Sequence, residues 1–261
     1  MRGLLVYSLF LPLFILLFFH FAPGENKHDF SDKSYDECRL KNFTVGGGEE
    51  LTYVVYYFLK GVWVPAGEVH FNSAIVDYRG IIAYYYRATG TTYPFYDWFF
   101  KVRDTFEVVV DTASIFPYYF RRKILEGDFY MHERTYFDYT RKKIYTILKK
   151  LDRPVEVDSF NLYPCVFDVF SGVLWARNLP VEKMKPRDTI FMNIFIDRDT
   201  HRIYIRYIGK EIIQIEDKKY RTHKIAGLLV QGTIFKGGEE MTVWVADDSS
   251  RIPLFIDSPI I

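Results

Sequence analysis

Apolar and polar side chains alternate residue by residue in segment after segment of this chain, and that period restricts it to β-structure. Phe106, Val108 and Val110 share one face of the run 105–110. Ile190, Met192, Ile194 and Ile196 oppose Phe191, Asn193 and Phe195 in 189–197, and Ile203, Ile205 and Tyr207 fall together in 202–208. Met241, Val243 and Val245 face away from Thr242, Trp244 and Ala246. A period of two is the signature of a strand with two distinct faces. Similar runs lie near 50–60, 67–77, 81–89, 116–125, 129–138, 143–149, 211–217, 220–234 and 252–257. Between them stand turn formers such as Tyr78-Arg-Gly80, Glu126-Gly-Asp128, Asp197-Arg-Asp199, Lys236-Gly-Gly238 and Asp247-Asp-Ser-Ser250. Aromatic residues, which favour strands, make up 19 % of the chain. The expected fold is mainly β, a large antiparallel, strongly curved sheet or (half-)barrel.

Two segments break this rhythm. Val166, Val169, Phe170, Val173 and Leu174 recur at helical spacing, which predicts one helix near 166–178 with Asp168 as a cap and Asn178-Leu-Pro180 as its end. Tyr93-Pro-Phe-Tyr-Asp-Trp-Phe-Phe100 is aromatic or proline at seven of eight positions and reads as a helical turn between strands. Large rings are mostly buried packing, so this turn is expected to plug one end of the barrel. Its functional alternative is a ligand mouth, in which Tyr93, Phe95, Tyr96, Trp98 and Phe99 contact an apolar tail and Lys101 and Arg103 hold an anionic head group. The plainer reading of Lys101, Arg103 and Asp104 is a rim ion pair, of little energetic value if exposed.

The N-terminus predicts export. Arg2 precedes an uncharged run, Leu4 to Phe19, and small residues Ala22 and Gly24 close it. This is the pattern of a signal peptide cut after Gly24, with an uncleaved anchor as the alternative because 3–22 is long enough to span a bilayer. The organisation is therefore 1–24 signal peptide or anchor, 25–45 N-terminal extension and 46–261 one β domain. In an oxidising compartment Cys38 and Cys165 are expected to pair, and neither has a Cys or His at metal-ligand spacing. Without the leader, 33 basic side chains balance 33 acidic ones, so no basic surplus points to nucleic acid or to a membrane-surface helix. Membrane contact is expected only through an uncleaved N-terminus.

Catalytic patterns fail on spacing. Ser171-Gly172 lacks the nucleophile elbow, and no phosphate-binding loop is present. His28, His70, His132, His201 and His223 are scattered singly, as structural histidines are. Asp247-Asp248 could offer oxygen ligands to Ca²⁺ but reads first as a hairpin turn. Asn42-Phe-Thr44 fits a glycosylation pattern, and Asp111-Thr-Ala113 and Asp188-Thr-Ile190 resemble short O-glycosylation signals; each is also ordinary turn or strand-start sequence. We expect no enzyme, no cofactor and no metal.

Gly48-Glu-Glu-Leu-Thr-Tyr53, Pro65-Ala-Gly-Glu68, residues 96–104, the helix around 168–177, Tyr207-Ile-Gly-Lys-Glu211, residues 232–248 and Arg251-Ile-Pro253 follow a known pattern in order. The chain resembles, over roughly 46–260, the domain-of-unknown-function family numbered 3108, in the form carried by Bacteroidetes-type bacteria. The resemblance implies an exported β-rich protein of the periplasm or outer envelope, and brings no catalytic residues. Its members usually continue past Ser258-Pro-Ile260 with a further strand, so an open sheet edge is expected. Two functions remain: a carrier for a lipid, glycan or other amphiphile, and an assembly protein contacting another envelope protein by a sheet edge or aromatic face.

Overall fold

The structure, a computed structural model, describes residues 38–228 and 240–258. The expected leader, His28 and the Lys236-Gly-Gly238 turn lie outside the described residues. The fold is mainly β with one helix. Strands β1 (Glu50–Leu59), β2 (Val62–Tyr78), β3 (Ile81–Thr92), β4 (Arg103–Asp111), β5 (Pro117–Glu126), β6 (Phe129–Asp138), β7 (Lys143–Lys150) and β8 (Glu156–Asn161) form an antiparallel meander in chain order. A second sheet joins β9 (Val166–Phe167), β10 (Thr189–Ile196), β11 (Asp199–Ile215), β12 (Lys218–Leu228), β13 (Glu240–Ala246) and β14 (Pro253–Asp257). The expected mainly β fold, with a large antiparallel sheet and one helix, is present; its strands form two sheets, and the helix α1 (Val169–Ala176) follows β9.

The alternation sets which side chains meet between the sheets. Phe106, Val108 and Val110 of β4 are buried, as are Phe120 and Ile124 of β5, Met131 of β6 and Ile144 of β7. They join Phe170, Leu174 and Trp175 of α1 and Met192, Ile194 and Ile205 of the second sheet in one continuous core. Two expected strands, 202–208 and 211–217, are one. β11 runs through both and slips register between Tyr207 and Gly209, where glycine at φ 151° takes a conformation closed to other residues. β8 escapes the alternation because its pattern is inverted: Val157 faces solvent, while Glu156 and Asp158 face Arg198.

The helix is shorter than expected because Val166 and Phe167 pair in parallel with Asn193 and Ile194 of β10. Asp168 caps it through its carboxylate, accepting from the amides of Phe170 (2.8 Å) and Ser171 (3.0 Å), and the Ser171 hydroxyl answers the Asp168 amide. Val173, expected on the buried stripe, is exposed, and Trp175 is buried instead. Trp175 Nε1 donates to the Cys38 carbonyl at 2.7 Å. Residues 38–45, read as an extension, are part of the packed unit: Cys38 and Val45 are buried, and the Asn178 side chain accepts from the amides of Phe43 and Thr44. Cys38 and Cys165 are joined by a disulfide with Cα atoms 5.6 Å apart.

Closing 127 positions of chain limits the unfolded ensemble, by roughly 5 kcal/mol at most on the chain-entropy model. Reduction, or Cys38→Ala with Cys165→Ala, is expected to lower the Tm; calorimetry with and without reductant measures it, and an unchanged Tm would rule the constraint out. Gly67 faces β3 so closely that a Cβ would fall 2.2 Å from the Thr91 carbonyl oxygen. Gly67→Ala is expected to destabilise by about 1–3 kcal/mol in urea melts.

Candidate functional site

Successive strands of a meander run in opposite directions, so the connections β1–β2, β3–β4, β5–β6 and β7–β8 all leave one edge of the first sheet. The aromatic segment 93–100 is the β3–β4 connection. Pro94, with its fixed φ, starts a 3-10 turn over Pro94–Tyr96, and the amides of Phe99 and Phe100 both donate to the Tyr96 carbonyl. The expected helical turn forms, but it is not a plug. Phe95, Trp98 and Phe99 are 74 %, 80 % and 77 % exposed. The inward positions beneath the loop belong to Val102, Asp104 and Glu126, all buried.

Polar contacts at its base fix the loop. Arg103 forks onto Asp97, with Nη1 to Oδ1 at 3.0 Å and Nη2 to Oδ2 at 2.5 Å, and the Thr92 hydroxyl donates to Asp97 Oδ1 at 2.8 Å. The Arg103 guanidinium holds the Asp97 carboxyl below its usual range. The Tyr93 hydroxyl donates to Glu68 Oε1 at 2.8 Å; burial, then that carboxylate, pushes the phenol up to about 12. Of the residues singled out in the sequence, Phe95, Trp98, Phe99 and Lys101 point to solvent, Tyr93 and Tyr96 are half-buried, and Arg103 is committed to Asp97 rather than open to a head group. The rim ion pair expected among Lys101, Arg103 and Asp104 has a different partner: Arg103 pairs with Asp97, and Asp104 does not take part.

Asp104 turns away from Arg103 into the interior. Its Oδ1 accepts from the Leu125 amide at 3.0 Å, and the Glu126 carboxyl lies close enough for the two to act on each other, while Asp104 Oδ2 and Glu126 Oε1 are buried without a hydrogen-bond partner among the described residues. Burial pushes both carboxyls up, and the Asp104 charge pushes Glu126 further. Farther in, the Arg122 guanidinium reaches Glu133 and Asp197, both at 2.5 Å. Nothing in the sequence marks Glu126 as a partner of Asp104, since they meet only through the register of β4 and β5 and the bridge between Val102 and Glu126.

Neighbouring connections extend the exposed aromatic surface. Phe58 and Trp63 meet across the β1–β2 hairpin with ring centroids 5.0 Å apart and planes tilted by 50°, and both are exposed, as is Val62. Leu151 and Val155, between β7 and β8, are exposed aliphatic residues. The aromatic residues flanking Lys60-Gly61 were the available sequence signal for this second tip. Two open clefts of about 840 and 760 Å³ lie elsewhere, and neither is lined by any residue of 93–103.

The remaining polar candidates have structural partners. His223 is buried with Nδ1 3.1 Å from the Tyr207 hydroxyl and Nε2 2.8 Å from Asp247 Oδ1, while Lys210 donates to the other Asp247 oxygen. Asp248 accepts from the amide and hydroxyl of Ser250, which is hairpin-turn chemistry, so the two adjacent carboxylates serve different neighbours. Asn42 donates to the carbonyls of Val45 and Thr112.

A family model described as a protein of unknown function (DUF3108) matches residues 52–260. No curated protein and no solved structure matches the chain.

The raised carboxyls set a sign for the pH dependence. A group whose folded pKa lies above its unfolded value contributes stability that is present in acid and lost as pH rises through the folded value. From about pH 5 into the alkaline range the pair therefore lowers stability progressively, by on the order of 1 kcal/mol per pH unit for one linked proton. Glu126→Gln keeps the shape without the charge and is expected to flatten that slope in denaturant melts taken across pH; an unaltered slope would remove the pair as its source.

Proposed function

The chain belongs to the DUF3108 family, and we propose that it works as a non-catalytic binding module of the cell envelope that engages an amphiphile at its aromatic rim. The observation that carries this is the exposure of Phe95, Trp98 and Phe99 on a loop whose base is fixed by hydrogen bonds. Contiguous exposed apolar surface marks a contact site. Lys101, exposed beside the rings, supplies the charge for an anionic head group. The core between the sheets is filled by side chains from both of them and from α1, which favours binding at the rim over enclosure in the interior. Export is supported by the apolar leader sequence and by the paired cysteines, which suit an oxidising compartment.

The same exposed face supports a second reading, contact with another envelope protein. Native mass spectrometry of protein gently purified from its envelope separates the two. The expected result is a reproducible adduct of amphiphile mass that disappears in Phe95→Ala/Trp98→Ala/Phe99→Ala, whose side chains contribute little to the core. A clean apo mass together with a stable protein partner in pull-downs would sink the amphiphile reading.

A further inference from the structure

The rim has the chemistry of a surface that meets its amphiphile in a bilayer rather than one molecule at a time. We propose that this edge of the first sheet docks onto a lipid membrane containing anionic lipid, with Phe58, Trp63, Phe95, Trp98 and Phe99 in the interface and Lys60 and Lys101 at the head groups. The inference rests on the rim-binding reading above and names the form in which the amphiphile is met.

Three observations point to a membrane. The rings stand on the tips of two projecting connections, with Phe95 against Tyr96 and Trp98 against Phe99 edge to face, and among the described residues they stay exposed. Projecting tips suit a deformable layer into which side chains sink. Trp63 and Trp98 are of the type that settles at the water–lipid boundary, with the ring body toward the acyl region and the indole N–H wet, and Phe58, Phe95 and Phe99 add apolar surface to sink between the lipids. The charge is also complementary. Lys60, Lys101 and Arg153 are exposed in the connections, with Lys149 and Lys150 at the adjoining strand end, against the exposed carboxylates Asp128 and Asp152. Arg103 and Asp97 cancel each other. With Arg198 set against Glu156 and Asp158, and Glu68 counted beside Tyr93, this edge keeps a small positive excess, carried to the tips by the exposed Lys60 and Lys101, that attracts anionic head groups. Membrane contact would then not depend on the N-terminal segment, the only route expected from the sequence.

Tryptophan fluorescence gives a test that the leader cannot mimic, since residues 1–24 contain no Trp. Trp175 and Trp244 are buried, which leaves Trp63 and Trp98 as reporters of the rim. The full chain is mixed with protein-free vesicles of phosphatidylethanolamine and phosphatidylglycerol, and with vesicles of phosphatidylcholine alone. The expected result is a blue shift of emission on the anionic vesicles, quenched by brominated acyl chains and weakened by high salt. Phe95→Ser/Trp98→Ser/Phe99→Ser should weaken partitioning by about tenfold or more, read from Trp63, and Lys60→Glu/Lys101→Glu should remove the preference for anionic lipid. Absence of a shift on anionic vesicles, with unchanged circular dichroism, overturns membrane docking. So does a shift that the triple variant leaves intact. If vesicle binding fails while the amphiphile adduct persists in native mass spectrometry, docking falls and the rim-binding reading stands. If the adduct fails as well, both fall.

Discussion

The buried guanidinium of Arg177 ties the helix to both sheets. It forks onto Glu49 at 2.8 and 2.7 Å, just before β1, and Nη2 also donates to the carbonyls of Thr44 and Ser250. Three pieces of chain far apart in sequence converge at one planar cation: the end of α1, the N-terminal segment that runs into β1, and the β13–β14 connection. An arginine suits this place because its donors lie in a fixed plane and stay charged when buried. A cation so enclosed stands only with its partners, and losing Glu49 would leave an unpaired charge at a cost of about 3–5 kcal/mol. The disulfide and the Trp175 indole bond secure the same region from the other side of the helix.

These ties gather at the sheet edge where β1 begins, opposite the edge that carries the aromatic connections. The molecule therefore has a braced end and a free one. Between them the interior changes character. Apolar packing around α1 gives way, toward the rim, to polar clusters: the buried Arg122 with Glu133 and Asp197, the partly exposed Arg198 with Glu156 and Asp158, and the neighbouring buried carboxyls of Asp104 and Glu126. Buried ion pairs add little net stability over apolar packing, but they select one arrangement because any other leaves charges unpaired. Here they fix the β10–β11 turn, where Asp197 and Arg198 adopt left-handed φ values and both point to the first sheet.

The strands were legible because burial on one face forces a period of two, and the helix cap because Asp168 and Ser171 make a local motif. What the sequence concealed was long-range or lacked a period. The helix face rotated because β9 takes Val166 and Phe167 into the second sheet, and a parallel pair to β10 has no local signature. β8 was hidden because charged residues occupy its inward positions, which only Arg198, some forty residues later, explains. The aromatic loop misled for a different reason. A loop has no alternating face, so its composition says that rings are present and nothing about which way they point; Arg103–Asp97 and Tyr93–Glu68 decide that.

Those polar anchors bear directly on what the rim is for. Large rings exposed to water are unfavourable, at roughly 25 cal/mol per Å² of apolar surface that could be covered. A loop free to move would fold its rings back onto the sheet. This one is prevented from doing so: Thr92, Asp97 and Arg103 brace it at the root, Tyr93 is fastened to β2 through Glu68, and Phe100 rests against the Gly127 turn. The ordering cost of a contact element is thus met within the folded protein before any partner arrives, which is how preorganisation strengthens binding. A braced loop displaying unsatisfied apolar surface is intelligible as half of a contact, and the rings themselves, rather than a chamber beneath them, are where the other half must be sought.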